Sequence, residues 1–204
     1  MMTAIVGSAP SVLLNTPGYI DSFDKIVRIN NYKLFPETGY RTDIFYSFFG
    51  TSIKKTREEL KRDGVTLCWC KCPNSKFIDS EWHEKNNKPF GVDFRYIYER
   101  RKDWWFCETI IPSTEEFLEK FHELNNHIPT TGMSAIMDLS KTDTEIYLTG
   151  FDFFQSKIHN VNEKWNQKNT DDPICHSPEE EIKWLKKNRD RFILDKRLDL
   201  LLQG

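Results

Sequence analysis

The sequence has no run of about 18 apolar residues, so no part of it predicts a transmembrane helix. It also lacks the charged-then-apolar layout of a signal peptide. The formal net charge of −2 gives no general attraction to nucleic acid. Five cysteines, an odd number without an export signal, indicate a reducing compartment. We therefore expect a cytoplasmic protein. Region 190–202 is basic and contains leucines, so it could contact the inner membrane peripherally. The same pattern is more typical of a helix that packs inside the fold.

Several catalytic signatures are missing as well. No Asp-x-Asp pair lies between strands, so the metal-clamped nucleotide site of many sugar transferases has no obvious ligands. There is no Gly-x-Gly-x-x-Gly loop, no P-loop and no Gly-x-Ser-x-Gly nucleophile elbow. Cys68, Cys70 and Cys72 alternate, which favours three buried thiols on one strand face over a zinc site. We expect no metal and no cofactor.

The residues that are present predict a folded domain spanning 1–204. With 38% hydrophobic and 29% charged residues, the chain has the composition of a globular protein and the length for a sizeable core. Segments with the apolar pattern of strands alternate with segments of helical period, which predicts an α/β fold: a mainly parallel sheet flanked by helices, Rossmann-like. The strand segments are 3–6, 25–29, 42–49, 65–71 and 145–148, and the helical ones are 52–62, 131–139, 190–202 and those that begin at Ser113 and Ser177. The segments 73–112 and 154–175 are expected to be irregular.

Polar or glycine-containing segments follow three of the predicted strands. They are Gly7-Ser8, Asn30-Asn31 and Gly150-Phe151-Asp152. Ligands of open α/β sheets bind beyond the carboxyl ends of the strands, so these segments should converge on one edge. The turn at Gly7-Ser8 offers N–H groups and hydroxyls to an anion, or is an ordinary strand-to-helix turn.

Asn30 stands at the end of the second strand, where dinucleotide-binding folds carry an acid. Its amide can both donate and accept a hydrogen bond, which suits a base edge or a ribose. Close to it in the sequence, Asp21, Asp24 and Arg28 are interpreted as one structural salt-bridge cluster rather than as ligand groups.

Two segments nearer the C-terminus could carry chemistry. Thr131 and Gly132 open a helix and could contact an anion or a ribose, or Thr130 could merely cap that helix. His176 lies just before a helix start, whose dipole disfavours the charged imidazole and leaves it able to accept a proton. Glu181 is expected to stabilise the local fold. His159, in a polar loop, could donate to a leaving phosphate or be a surface histidine.

In this order, the segments resemble the four sialylmotifs of glycosyltransferase family 29, the sialyltransferases. The large motif resembles residues 4–8, 20–30 and 39–42, and the small motif resembles 129–132 and 145–153. The third motif is reduced to His159, and the very small motif, His-x-x-x-x-Glu, is met by His176 and Glu181. The run 176–183 is also similar to the bacterial family 42 sialyltransferases that act on lipooligosaccharide. Together these segments cover about half of the chain.

The resemblance implies a variant GT-A fold and an inverting, metal-independent transfer of sialic acid from CMP-sialic acid to a glycan hydroxyl. It implies His176 as the general base and His159 as a contact of the departing CMP phosphate. It implies a glycan or glycolipid acceptor, with lipopolysaccharide as one class, and leaves the oligomeric state open. The implied nucleotide contacts are Gly7, Ser8, Asn30, Thr131, Gly132, Gly150 and Phe151.

The sequence departs from the family pattern in three places. Thr3 stands where animal members carry a bridging cysteine, Ser8 replaces the usual Asn, and Asn160 follows His159 where an aromatic is expected. The first departure argues against an oxidised Golgi enzyme. Three alternatives stay open: a CMP-Kdo-dependent Kdo transferase, an S-adenosylmethionine-dependent methyltransferase and a non-catalytic glycan-binding domain.

Overall fold

The centre of the fold is a sheet of seven strands, all parallel. The computed structural model describes residues 1–50, 52–78, 91–93, 95, 106–155 and 176–204. The strands of this sheet are β1 (Met2–Val6), β2 (Lys25–Ile29), β3 (Ile44–Ser47), β4 (Leu67–Cys70), β7 (Glu108–Ile110), β8 (Glu145–Thr149) and β9 (Phe192–Leu194). Their spatial order is β7-β4-β3-β2-β1-β8-β9. Two further strands, β5 (Lys76–Ile78) and β6 (Gly91–Asp93), form a separate antiparallel pair.

Capping residues define where the helices begin. Thr56 and Ser113 each form a capping box with a glutamate three residues on. Ser177 caps a helix with Pro178 at its first position, as the sequence predicts. The helices are α1 (Arg57–Arg62), α2 (Thr114–Glu123), α3 (Thr131–Leu139), α4 (Pro178–Lys187) and α5 (Lys196–Gln203), and short 3-10 turns span Pro10–Leu14, Ile20–Ser22 and Arg189–Arg191.

Both faces of the sheet are buried, which is the rule for parallel sheets. On one face, Ile5 and Val27 pack with residues of α3, α4 and α5. The other face carries Ala4 and Ile26 under the 3-10 turns and, further along, a cluster that includes residues of α1 and α2. Cys68, Cys70 and Cys72 all belong to that cluster, as their alternation predicts.

The order of the strands creates a switch point. From β1 the chain moves outward through β2, β3, β4 and β7, and it then returns to the other side of β1 as β8. A crevice opens at the carboxyl edge where the winding direction reverses, and ligands of such sheets bind there. The turns after β1 and β8 therefore lie at the expected ligand edge.

The α/β fold class is confirmed, and three boundaries inside it are corrected. Helix α1 begins at Arg57 rather than at residue 52, because the capping box lies at Thr56. The segment 73–112, expected to be irregular, contains β5, β6 and β7. The segment 190–202 begins with a 3-10 turn and β9 instead of a helix, because the apolar triplet Phe192–Leu194 pairs with β8.

No helix in the described part of the chain is long and apolar enough to cross a membrane. Helix α5 turns Leu198 and Leu202 into the core, with 0% and 5% exposure. These two leucines pack inside the fold, as expected for a packing helix, whereas Leu200 of the same helix is exposed.

Candidate functional site

The turns after β1 and β8 touch each other through two glycines. Gly7 donates its N–H to the Thr149 carbonyl at 2.8 Å, and Ala9 donates to the Gly150 carbonyl at 2.9 Å. A Cβ on Gly7 would lie 2.2 Å from the Gly150 oxygen, and one on Gly150 would lie 2.8 Å from the Gly7 oxygen. Gly150 also has a φ of +76°, which L side chains rarely adopt. Only glycine fits at both positions.

Phe151 connects this contact to the start of α3. A Cβ on Gly132 would lie 2.7 Å from the Phe151 ring, and one on Gly7 would lie 3.2 Å from it. The ring therefore packs against the first turn of α3 and the turn after β1. Gly7, Gly132, Gly150 and Phe151, which the sequence places in one site, are brought together.

Replacing Gly150 tests the close approach of the two turns. We expect Gly150→Ala to lower the free energy of unfolding by about 2–4 kcal/mol, since it combines overpacking with a left-handed φ. Gly18→Ala is the matched control, because Gly18 has a φ of +79° and nothing within 4 Å of the added methyl. Denaturant unfolding of both variants measures the difference. Equal losses would mean that the contact with Gly7 contributes nothing.

Asn30 has a conformation typical of a functional position. Its φ is +50°, in the left-handed region that Asn tolerates better than most residues. Its side-chain Oδ1 is buried and has no hydrogen-bond partner among the described residues. Val6 pairs with Arg28 in the sheet, so Ser8 and Asn30 occupy matching positions just past the ends of β1 and β2. An unpaired buried acceptor is costly, and a donor group on a ligand would satisfy it.

Several residues with positive φ follow strands at the same edge. Asn30 follows β2, Phe49 follows β3, and Gly150 and Phe153 follow β8, all with positive φ. A bulky residue such as Phe49 or Phe153 adopts this conformation only when the surrounding structure imposes it. Clusters of such residues are typical of ligand-binding edges.

His176 lies beside the loop that leads into α3. Its Nδ1 is 2.6 Å from the Ile128 carbonyl oxygen, so Nδ1 carries the proton and the lone pair of the neutral ring is on Nε2. Burial, with a contribution from the Lys71 ammonium, lowers the pKa of His176 to about 3. The imidazole is therefore neutral at physiological pH and is oriented with Nε2 away from the Ile128 carbonyl.

Glu181, which lies on α4, holds Thr130, the last residue of that loop before α3. Its two carboxylate oxygens accept hydrogen bonds from the Thr130 N–H at 2.6 Å and the Thr130 hydroxyl at 3.0 Å. Thr130 Oγ1 in turn accepts from the Met133 N–H and caps α3. Burial raises the pKa of Glu181 to about 7. Glu181 thus positions the start of α3, where Thr131 is buried and Gly132 is half-buried, and Thr130 is the helix cap.

The expected salt-bridge cluster of Asp21, Asp24 and Arg28 is wrong in its pairing. No two of these three side chains form an ion pair in the described structure; each binds backbone instead. Asp21 accepts from the N–H groups of Tyr40 and Arg41, and Asp24 accepts from the Met2 N–H. Arg28 donates to the carbonyls of residues 38 and 41 and to the Thr42 hydroxyl. The carboxylates of Asp21 and Asp24 therefore bind backbone N–H groups and not the Arg28 guanidinium.

Two residues near this edge were not identified from the sequence. Lys71 follows β4 and is 6% exposed. Its charge adds to the lowering of the His176 pKa and offsets part of the rise that burial causes in the Glu181 pKa. Asp195 follows β9, accepts from the Gly150 N–H at 3.0 Å and caps α5. Asp195 lies inside the segment 190–202 that the sequence predicted as helical, which concealed its role as a cap, and Lys71 had no signal beyond its place at a strand end. His159 lies outside the described residues.

Comparisons with known proteins bear on the fold. No family model and no curated protein matches the sequence. Among solved structures, the sialyltransferase CstII from Campylobacter jejuni in complex with cytidine-5'-monophosphate is 17% identical, with a TM-score of 0.55 over 95% of this chain and 79% of CstII. CstII with the substrate analogue CMP-3FNeuAc gives 16% identity and a TM-score of 0.56, covering 95% of this chain and 81% of CstII.

A mammalian sialyltransferase is similar as well. Its complex with Gal-beta-1-3GalNAc-ortho-nitrophenol is 13% identical, with a TM-score of 0.57 over 96% of this chain and 69% of that enzyme. At such identities the likeness concerns the fold. The chain therefore has the α/β fold of the bacterial and mammalian sialyltransferases.

Proposed function

We propose that the protein is a glycosyltransferase that moves sialic acid from CMP-sialic acid to a glycan hydroxyl, inverting the anomeric centre without a metal. One observation carries the proposal: a neutral His176, with Nδ1 bonded to a carbonyl, lies at the loop that opens α3 in a sialyltransferase fold. The solved neighbours include complexes with CMP, with the substrate analogue CMP-3FNeuAc and with a trisaccharide acceptor. The proposed acceptor is a glycan or glycolipid, with lipopolysaccharide as one class.

The nucleotide is proposed to bind across the β1/β8 switch point. Gly7 and Gly150 let the two turns meet at this point, and Phe151 offers an apolar ring beside Gly132. The unpaired Oδ1 of Asn30 is an acceptor for a ribose hydroxyl or a base amine. Ser8 and Thr131 add hydroxyls next to these positions, and His159 is proposed as a contact of the leaving phosphate.

The proposed reaction is a single displacement. The acceptor hydroxyl gives its proton to His176 Nε2 as its oxygen bonds to the anomeric carbon. The bond from that carbon to the phosphate oxygen breaks on the opposite face, and the electron pair leaves with CMP. CMP is a good leaving group, so positioning and one general base supply most of the acceleration.

An imidazole with such a low pKa is a weak base, so this mechanism requires an interaction that raises the pKa of His176. The donor carries negative charge on its phosphate and its carboxylate. Anionic charge near an imidazole raises its pKa, whereas burial and Lys71 lower it. Donor binding would therefore move His176 toward the range in which a base works best.

The nucleotide specificity of binding tests the proposal. We expect CMP, and not S-adenosyl-homocysteine, to raise the melting temperature, because a ligand of the native state stabilises it. Sialic acid should then be released or transferred from CMP-sialic acid faster than Kdo from CMP-Kdo. Stabilisation by S-adenosyl-homocysteine alone would favour a methyltransferase, and glycan binding without CMP binding would favour a non-catalytic module.

A substitution at Asn30 tests whether this residue contacts the nucleotide. Asn30→Gly keeps the left-handed backbone and removes only the amide, so CMP binding measured by calorimetry should weaken by roughly tenfold. Asn125→Gly is the matched control, since Asn125 also has a positive φ, +53°, and lies at the end of α2. Equal CMP affinity in both variants would remove Asn30 from the nucleotide site.

A further inference from the structure

A narrow pocket lies under the turn that follows β1. Its lining includes Gly7 and Ser8 from that turn and Arg28 from β2. Tyr32, Lys33 and Thr38 complete the lining, with two valines as apolar walls. Lys33 is the exposed residue of this lining. The lining therefore contains two cationic residues, Arg28 and Lys33, and no carboxylate.

Arg28 is the unusual member of this set because it is 0% exposed. Its Nε and Nη2 donate to neutral oxygens of the 38–42 loop. Its Nη1 is buried and has no hydrogen-bond partner in the described part of the chain. Ion pairing does not compensate the charge either, since no carboxylate of the described residues forms a salt bridge with it. The nearest ring, Tyr32, lies 5.7 Å from the guanidinium carbon.

A buried guanidinium without a counter-charge is energetically costly. Burial lowers the pKa of Arg28 to about 10 even with three aspartates at longer range, which is consistent with this cost. A hydrogen-bonded anion would recover much of it, since charge-assisted hydrogen bonds are about twice as strong as neutral ones. The loop contacts use two of the three guanidinium nitrogens and leave Nη1 for such a partner.

We propose that this pocket is an anion subsite, in which one oxygen of a phosphate group binds Arg28 Nη1 while the rest of the group lies at the mouth beside Lys33. The pocket is too narrow for a whole sugar or base. The phosphate belongs either to free inorganic phosphate or to a nucleotide in the adjoining site that shares Gly7 and Ser8. The subsite is testable with phosphate alone, so it does not depend on the transferase activity.

Inorganic phosphate, titrated at constant ionic strength against sodium chloride, is the probe. Phosphate should raise the melting temperature and shift the guanidinium 15N–1H signals of Arg28. Lys33→Ala should weaken phosphate binding by roughly three- to fivefold, the effect of one partly exposed charge. Lys187→Ala, an exposed lysine of α4, is the matched control and should bind as the wild type does. Arg28→Gln should weaken binding by about tenfold or more if the protein folds.

Competition then identifies the source of the phosphate. Displacement of phosphate by CMP but not by cytidine assigns the subsite to the nucleotide phosphate. Phosphate that stays bound in the presence of CMP assigns it to a free anion, and both results support the subsite. The proposal is overturned if the Arg28 signals do not move with phosphate, or if Lys33→Ala binds phosphate as tightly as the wild type. Failure of CMP-sialic acid transfer would leave it intact.

Discussion

In the His176→Ala protein, transfer from CMP-sialic acid should fall by roughly 10²–10⁴-fold, the usual contribution of a general base. The affinity for CMP should change little, because the proposed nucleotide contacts come from β1, β2, α3 and the turn after β8. The loss should therefore appear in kcat rather than in KM for the donor. Initial-rate kinetics with a saturating glycan acceptor measure both.

A second substitution separates the base from the structural role of His176. His176→Asn keeps an N–H that can donate to the Ile128 carbonyl, as Nδ1 does at 2.6 Å, but it has no basic nitrogen. Its stability should stay closer to that of the wild type, while its turnover should fall as in His176→Ala. His122→Ala, an exposed histidine bonded to Asn126, is the control and should keep full activity. Undiminished transfer in His176→Asn would assign the base to another residue.

The convergence of three strand ends at one edge of the sheet could be predicted because the strands are recognisable in the sequence. The apolar segments that became β1, β2 and β8 each end in a glycine or an asparagine, and the carboxyl ends of parallel strands meet at one edge. The starts of α2 and α4 could be predicted from Ser113 and Ser177, because these serines cap the helices through local hydrogen bonds. These features depend on neighbours in the sequence.

Features that depend on distant contacts could not be predicted in this way. Phe192–Leu194 is too short for its apolar pattern to distinguish a strand from a helix, and only pairing with β8 makes it β9. Lys71 affects His176 through space, across more than one hundred residues of chain. The partners of Arg28 are two carbonyls and one hydroxyl of a loop, which no charge pattern reveals. In each case the fold supplies the partner.

Glu181→Gln should change how the stability of the protein depends on pH. Burial raises the pKa of Glu181 from 4.5 to about 7 in the folded state. The protonated acid is therefore favoured by folding: this contribution is fully present below pH 4.5 and is lost as the pH rises through 7. The shift corresponds to at most about 3 kcal/mol. Gln is neutral at every pH and can still accept from the Thr130 N–H, so the variant should gain about that much relative to the wild type between pH 4 and pH 8.

The measurement is the difference in unfolding free energy between variant and wild type across that pH range. Glu179→Gln is the control, because it removes an exposed carboxylate from the first turn of the same helix and so tests the dipole effect without burial. A Glu181→Gln difference that stays constant with pH would show that the Glu181 carboxyl is not disfavoured by its surroundings.

His176 should change the pH dependence of stability in the direction opposite to Glu181. The pKa of His176 is lowered from 6.5 to about 3, so its contribution to stability is present above pH 6.5 and is lost as the pH falls toward 3. Between about pH 4.5 and 6.5 the slopes from His176 and Glu181 oppose each other, and the wild-type curve should be nearly flat in this range. Glu181→Gln removes one slope and should expose a loss of stability on acidification. His176→Asn should expose the reverse, a loss on alkalinisation, because the carboxyl held against Thr130 is then the group whose ionisation folding opposes.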